Sequence, residues 1–231
     1  MSGAPPLIAL VPVRAGSKGL PGKNLRPFAG VPLWRRAVDQ GLAAGASEVV
    51  VSTDIPALLS LPPEPGLRIL PRPAELAGDA VPMDPVIAHA LSAMPTPARV
   101  LLLQATSPLR ELQDIAAALA LHATGGWDLV MTVSPADPGV LKWGFVTDGR
   151  FRALVDPAHP FTNRQALPPV WRPNGAAYVF DAEDFRSRGG LACDRVGAVK
   201  MPAARALDID DAADFACAEA AFAARGQPDA P

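Results

Sequence analysis

At 231 residues, with 49% hydrophobic and 19% charged side chains, the chain has enough apolar surface to bury the core of one α/β domain, which excludes a disordered or low-complexity scaffold. Its 21 Lys and Arg against 23 Asp and Glu leave a formal charge of −2, so no general field draws it to nucleic acid or to an anionic membrane surface. A polyanionic ligand would have to be met by a local cluster of cations.

Short apolar runs at 7–13 (LIALVPV), 48–52 (EVVVS), 67–70 (LRIL), 99–104 (RVLLLQ) and 128–133 (DLVMTV) read as buried strands. Between them lie helical patterns. Trp34, Ala37, Val38, Gly41 and Leu42 fall on one helix face, and Val86, Ile87, Ala90, Leu91 and Met94 fall on another. Leu112, Ile115, Ala116 and Leu119 repeat the spacing before Gly125–Gly126 ends that segment. Continuous apolar strands alternating with amphipathic helices predict a mostly parallel α/β sheet covered on both faces, with ligands bound beyond the carboxyl ends of the strands.

After Pro135 the rhythm changes. Residues 141–155 place Asp148–Gly149 between aromatic-bearing flanks, a hairpin signal, and roughly 137–170 reads as an excursion from a single domain spanning 1–231. Strand-like composition returns at 176–180 and 196–201. Asp210 or Asp211 is placed to cap an alanine-rich last helix, and the tail "RGQPDAP" reads as frayed.

Two cysteines, Cys193 and Cys217, have neither CxxC spacing nor nearby histidines and read as small hydrophobes in a reducing compartment. The opening "MSGAPP" lacks the basic segment of a signal peptide, and no apolar run reaches spanning length. The expectation is a soluble cytoplasmic protein with no membrane or nucleic-acid partner.

The densest group of cations follows the first strand, in "RAGSKGLPGKN", where a parallel sheet presents its ligand. Gly16, Gly19 and Gly22 permit positive φ and a close approach of backbone N–H groups to an anion, while Arg14, Lys18 and Lys23 supply charge suited to a triphosphate. Two familiar phosphate loops do not fit. A P-loop would need glycine where Ser17 stands and Ser or Thr where Asn24 stands, and Pro27 interrupts the helix that a dinucleotide fingerprint would open. Composition alone allows an ordinary exposed loop with solvated lysines equally well. Near the other end, Asp208 and Asp210 stand at i and i+2. In an extended segment both carboxylates face one side as hard oxygen ligands of the kind Mg²⁺ takes, although an acidic helix cap accounts for them too. Ser107–Pro108 has the composition of a helix cap and first turn.

Seven stretches in order, "VRAGSKGLPGKNL" (13–25), "VVVSTD" (49–54), "RPAELAGD" (72–79), "LLLQATSPLR" (101–110), "NRQALP" (163–168), "RPNGAAYVF" (172–180) and "LDIDDAADF" (207–215), resemble the CMP-sialic acid synthetase (acylneuraminate cytidylyltransferase) family over nearly the whole chain. Lys18–Gly19 and Asn24 favour that branch over the related CMP-Kdo synthetases. The resemblance implies a doubly wound, Rossmann-like nucleotidyltransferase sheet whose excursion mediates a homodimer. It implies transfer of CMP from CTP to the anomeric hydroxyl of a nonulosonic sugar acid, with release of pyrophosphate. By the same resemblance Arg14, Ser17, Lys18, Lys23 and Asn24 hold the nucleotide, and Arg14, Lys18, Lys23 and Asp210 serve catalysis. Asp208 and Asp210 would hold Mg²⁺, while Gln104, Thr106, Ser107, Lys142, Arg164 and Tyr178 would meet the sugar acid. Arg110 is either a packing cation or half of an ion pair.

The chain departs from the family at two places. Ala105 replaces a usual proline, and "LACD" (191–194) stands where sialic acid enzymes carry a pair of aromatics around the acylated sugar. Legionaminic, pseudaminic or Kdo acid is therefore an alternative substrate. A nucleotide-binding homologue without catalysis is the alternative from another class.

Overall fold

The computed structural model describes residues 5–225; the opening "MSGA" and the part of the tail beyond Arg225 that was expected to fray lie outside the described residues. In chain order the strands are β1 (Leu7–Val13), a minute pair β2 (Pro27–Phe28) and β3 (Val31–Pro32), β4 (Glu48–Thr53), β5 (Leu67–Pro71), β6 (Arg99–Leu103), β7 (Leu129–Ala136), a hairpin β8 (Gly144–Thr147) and β9 (Arg150–Ala153), β10 (Val170–Asp181) and β11 (Val196–Lys200). The helices are α1 (Leu33–Ala43), α2 (Pro56–Leu59), α3 (Met83–Ser92), α4 (Leu112–Ala123), α5 (Ala182–Arg188) and α6 (Ala212–Arg225). Seven strands form one sheet in the order β11-β7-β10-β6-β1-β4-β5. All neighbours pair in parallel except β10, which runs antiparallel to both β6 and β7.

Alternation along the central strand sorts the core into two layers. Ala9, Val11 and Val13 of β1 pack against Trp34, Ala37 and Val38 of α1 and against Ile115 and Ala118 of α4. Ile8 and Leu10 point the other way, toward Ile87, Ala90 and Leu91 of α3 and Phe185 of α5. With both faces covered, no polar alternation is left in the strand, so it reads as an unbroken apolar run. Burying each large side chain here contributes about 1.5–3 kcal/mol relative to exposure. At Gly41 a Cβ would lie 2.9 Å from the Ala9 Cβ, so the missing side chain lets α1 seat directly on the sheet.

A third apolar cluster lies outside the sheet and matters most for function. It joins Leu20 of the first loop, Phe28, Leu33 and Leu109 to Ile209, Phe215 and Ala218 at the far end of the chain. Phe28 meets Phe215 and Phe222 edge-on at 5.9 Å and 5.4 Å between ring centroids, and the Arg36 guanidinium lies over both Phe28 and Phe222. This cluster draws α6 and the acidic segment before it against the first loop.

The expected strand at 176–180 is the second half of a longer one. β10 begins at Val170 and passes through Pro173, with an irregular register between Pro173 and Tyr178. Asn174–Gly175 is this bulge and not the tight turn that its composition suggests; Gly175 takes φ 76°. The hairpin signal at Asp148–Gly149 gives β8–β9, with both turn residues at positive φ (50° and 72°), as a two-residue primed turn requires. Among the described residues that hairpin pairs with no other strand. No helix among the described residues is long and apolar enough to cross a membrane.

Candidate active site

The carboxyl end of β1 delivers the cationic loop to the ligand edge of the sheet, and contacts with three other segments shape it. Asp54, just past β4, accepts a hydrogen bond from the Ala15 amide at 2.8 Å. Buried Asn24 donates from Nδ2 to the Arg14 carbonyl at 3.1 Å, so its side chain closes the loop on itself. Of the three glycines read as conformationally permissive, only Gly22 is left-handed (φ 67°). Gly19 is needed for space: a Cβ there would stand 2.4 Å from the Asp210 carbonyl oxygen. Arg14 and Lys18 converge on Asp79, in the loop after β5, with Arg14 at Oδ1 and Lys18 at Oδ2, the latter at 2.9 Å. Hydrogen bonds from Lys18 and Arg14 hold the Asp79 carboxyl below the usual carboxylate range.

Lys23 links the loop to the acidic segment. Its nearly buried ammonium donates to the Ile209 carbonyl at 2.6 Å and pairs with Asp210 Oδ1 at 3.4 Å. Ile209 is fully buried while Asp208 and Asp210 on either side are exposed, so the segment has the alternation expected of an extended chain, although it pairs into no strand. The Ile209 amide donates to the Thr106 carbonyl at 2.8 Å, which ties the segment to the loop after β6. Asp208, Asp210 and Asp214 line a cleft of about 420 Å³ together with Arg172, Asn174 and Gly175. Although the residue as a whole is exposed, partial desolvation of its carboxyl at the wall of this cleft raises the pKa of Asp208; a Thr106 hydrogen bond and Lys23 act against the rise, and Asp210 and Asp214 add to it. The helix cap proves to be Asp211 and not Asp210. Asp211 Oδ1 accepts from the Ala213 and Asp214 amides at 2.8 Å and 2.9 Å, and Asp214 Oδ2 accepts in return from the Asp211 amide at 3.2 Å. Asp208 and Asp210 are thereby left to face the cleft.

The loop 104–110 departs from its expected local structure. Glu111 and Asp114 form the capping box of α4, so Ser107–Pro108 begins no helix, and the buried Ser107 hydroxyl has no hydrogen-bond partner among the described residues. Arg110 is a packing cation and not half of an ion pair. Buried, it donates to Gln40 Oε1 at 2.6 Å, to the Gln104 carbonyl at 3.2 Å and to the Ala176 carbonyl, and burial pushes its pKa down to about 9. Through these bonds it fixes the loop bearing Gln104, Thr106 and Ser107 against β10. Tyr178 of β10 is half-buried, and burial, with Asp208 second, raises its pKa.

The structure therefore brings together Arg14, Ser17, Lys18, Lys23 and Asn24 of the first loop with Thr106, Asp208 and Asp210. Gln104 approaches Gly175 on the wall of the same cleft, and Tyr178 feels the charge of Asp208. Lys142 and Arg164 lie in the excursion, each in a short 3-10 turn, and exposed Arg164 pairs with Asp137 at 3.0 Å. Three residues at this edge escaped the sequence analysis as site members: Asp54, Asp79 and Arg72. Arg72 is buried, donates to the Ser52 carbonyl at 2.8 Å, and has its pKa lowered by burial, with Asp54 opposing the shift and Arg14 adding to it. A usable signal was present, since Arg72 and Asp54 both directly follow the carboxyl end of a strand.

Asp208 and Asp210 suit a hard divalent cation in donor chemistry. A hard cation of the Mg²⁺ kind takes one or two carboxylates and completes its shell with water and phosphate. Among the described residues no three His, Cys, Asp or Glu side chains gather as a group that could hold a metal ion by themselves.

Comparison with known proteins is consistent with this geometry. The family model described as Cytidylyltransferase matches residues 8–186. An N-acylneuraminate cytidylyltransferase of Streptococcus agalactiae is 28% identical over 90% of this chain and 51% of its own length; one of Escherichia coli is 29% identical over 90% and 50%. The chain thus spans about half the length of these curated relatives. A CMP-N,N'-diacetyllegionaminic acid synthase of Legionella pneumophila is 29% identical over 92% of this chain and 94% of its own length. Among solved structures, a CMP:2-keto-3-deoxy-manno-octonic acid synthetase complexed with CTP superimposes with a TM-score of 0.70 at 16% identity, over 95% of this chain and 99% of that one. A 4-diphosphocytidyl-2C-methyl-D-erythritol synthase of Anaerococcus prevotii superimposes with a TM-score of 0.61 at 13% identity, over 95% and 96%, and both likenesses establish the shared fold. With the family model spanning most of its sheet, this chain belongs to the cytidylyltransferase family.

Proposed function

We propose that the protein transfers CMP from CTP to the anomeric hydroxyl of a nonulosonic sugar acid and releases pyrophosphate. The observation that carries this reading is the Lys23 bridge to Ile209 and Asp210, which joins a triphosphate-type loop to a carboxylate pair across one cleft. Arg14, Lys18 and Lys23 neutralise the triphosphate, most of all the charge that grows on the departing pyrophosphate. Asn24 and the backbone around Ser17 hold the nucleotide end. Gln104, Thr106 and Tyr178 offer hydrogen-bonding groups to the sugar hydroxyls from the adjoining wall, whereas the Ser107 hydroxyl is buried and would meet the sugar only after a shift of its loop.

Asp208 and Asp210 would hold Mg²⁺, which supplies charge neutralisation at the phosphates and lowers the pKa of a hydroxyl bound to it. The exposed face of the excursion, with Trp143, Phe145, Val146, Phe151 and Phe161, supports a homodimer, in which Lys142 and Arg164 would reach the carboxylate of the sugar acid. The reducing cytoplasm, where CTP is available, is the setting that fits two free cysteines. A second sugar, of legionaminic type, is favoured by the near full-length Legionella relative and by the non-aromatic "LACD" at 191–194.

Purified protein with CTP and Mg²⁺, offered N-acetylneuraminic, legionaminic, pseudaminic and Kdo acids in turn, should release pyrophosphate with one nonulosonic acid. No release with any of the four would count against the reading. Asp210→Asn should abolish turnover at saturating CTP, and near-normal turnover in that variant would remove the acidic pair from the mechanism.

A further inference from the structure

We infer that Asp79 is a built-in stand-in for the triphosphate: its carboxylate engages the phosphate-binding cations and must be displaced before nucleotide can bind. The inference rests on the proposed role of Arg14 and Lys18 toward CTP. Three observations carry it. Both oxygens of Asp79 are engaged, each by a different cation, Oδ1 by Arg14 and Oδ2 by Lys18 at 2.9 Å. Lys18 is otherwise out in solvent, with its side chain 86% exposed, so its ammonium is held in place by the carboxylate it meets. The third is where Asp79 comes from: the connection between β5 and α3, which reaches the first loop from a different strand end and lies outside the sheet.

A carboxylate and a phosphate oxygen offer the same cations the same charge-assisted hydrogen bonds. Each pair can be exchanged for the other without leaving Arg14 or Lys18 unpaired, so both cations keep an anionic partner whichever of the two they meet. The consequence is a reduced apparent affinity for phosphate anions, since every binding event first breaks two ion pairs. A second consequence is mechanical. Once Asp79 is displaced, the segment 77–82 loses its anchor on the first loop, so occupancy of the phosphate site is reported to the β5–α3 connection.

The test uses the full chain and inorganic tripolyphosphate as probe, with binding followed by titration calorimetry in wild type, Asp79→Asn and Glu75→Gln. Glu75 lies on the same connection and pairs with neither cation, so it controls for the loss of one negative charge from that loop. Asp79→Asn should bind tripolyphosphate about three- to tenfold tighter than wild type, the size of effect expected for exposed charge pairs, while Glu75→Gln should stay within about twofold. Equal or weaker binding by Asp79→Asn would overturn the inference and make Asp79 a positioning group for Arg14 and Lys18. An equal gain in Glu75→Gln would overturn it too, as a general charge effect. If neither wild type nor Asp79→Asn binds the probe, the phosphate role of the loop itself fails, and this inference with it. Thermal melts of both variants verify that each is folded.

Discussion

Gly19 shows how a single residue sets the closeness of the two halves of the site. A Cβ there would meet the Asp210 carbonyl oxygen at 2.4 Å and its carbon at 3.2 Å. Neither side has room to yield, because Leu20 and Ile209, the immediate neighbours of the two residues, are buried in one apolar cluster. Gly19→Ala should therefore lower stability by about 1–3 kcal/mol and turnover by about 10- to 100-fold, through displacement of the Lys23 and Asp210 side chains. Steady-state kinetics beside a denaturant melt would check this, and unchanged kcat/KM would contradict it. The cations of this loop were legible in the sequence, because a basic, glycine-rich stretch after a buried strand has a known place in a parallel sheet. The reason for Gly19 was not legible. It is not a φ requirement, which spacing and composition suggest, but an approach by a segment from the other end of the chain. Arg110 was undecidable for a related reason: its partners are Gln40 and two backbone carbonyls, and carbonyls leave no mark in a sequence.

At the scale of elements, α6 presents the acidic segment and depends on its cap. Asp211→Ala removes the acceptor for two otherwise orphaned amides and should cost about 1 kcal/mol, or roughly 2–4 °C in Tm for a chain of this size, while Asp211→Asn restores most of it. A loss of metal-dependent turnover in Asp211→Asn with no change in Tm would reassign Asp211 to the cleft. The long strands were read from sequence to within a few residues, since each is an apolar run covered on both faces. β10 was read short because Pro173, Asn174 and Gly175 carry turn chemistry. Inside the protein the same residues make a bulge, where Asn174 Oδ1 accepts from the Thr132 hydroxyl at 2.6 Å and from the Ala176 amide at 3.1 Å. The β2–β3 pair went unread because its turn places Ala29, a residue without turn preference, at φ 48°. The four-residue α2 and seven-residue α5 are too short to show a helical period.

The whole molecule carries two further consequences. His122, buried at the end of α4, has its pKa lowered by burial, with Asp181 opposing and Arg99 adding to the shift. The unfolded chain takes up this proton more readily than the folded one. The contribution is therefore complete above the unfolded value of about 6.5 and is lost as pH falls through the lower folded value. Urea midpoints should drop from pH 7 to pH 5, less steeply in His122→Gln, and an identical slope in that variant would contradict the assignment. The exposed excursion gives the second consequence. Sedimentation should find a dimer that Phe151→Glu converts to a monomer with reduced turnover; a monomeric wild type with full turnover would remove the partner from the proposal. Fold class was legible at this scale because strand and helix periods alternate so regularly, whereas which sugar acid the cleft selects depends on surfaces such as 191–194 that no motif describes.

The most direct measurement is ³¹P NMR of the protein with CTP, Mg²⁺ and the nonulosonic acid that supports pyrophosphate release. The three triphosphate resonances should give way to one phosphodiester signal from a CMP-sugar and one pyrophosphate signal, in equal amounts of product molecules. Triphosphate signals that persist, or that decay to CMP with no phosphodiester formed, would contradict transfer of CMP by this site.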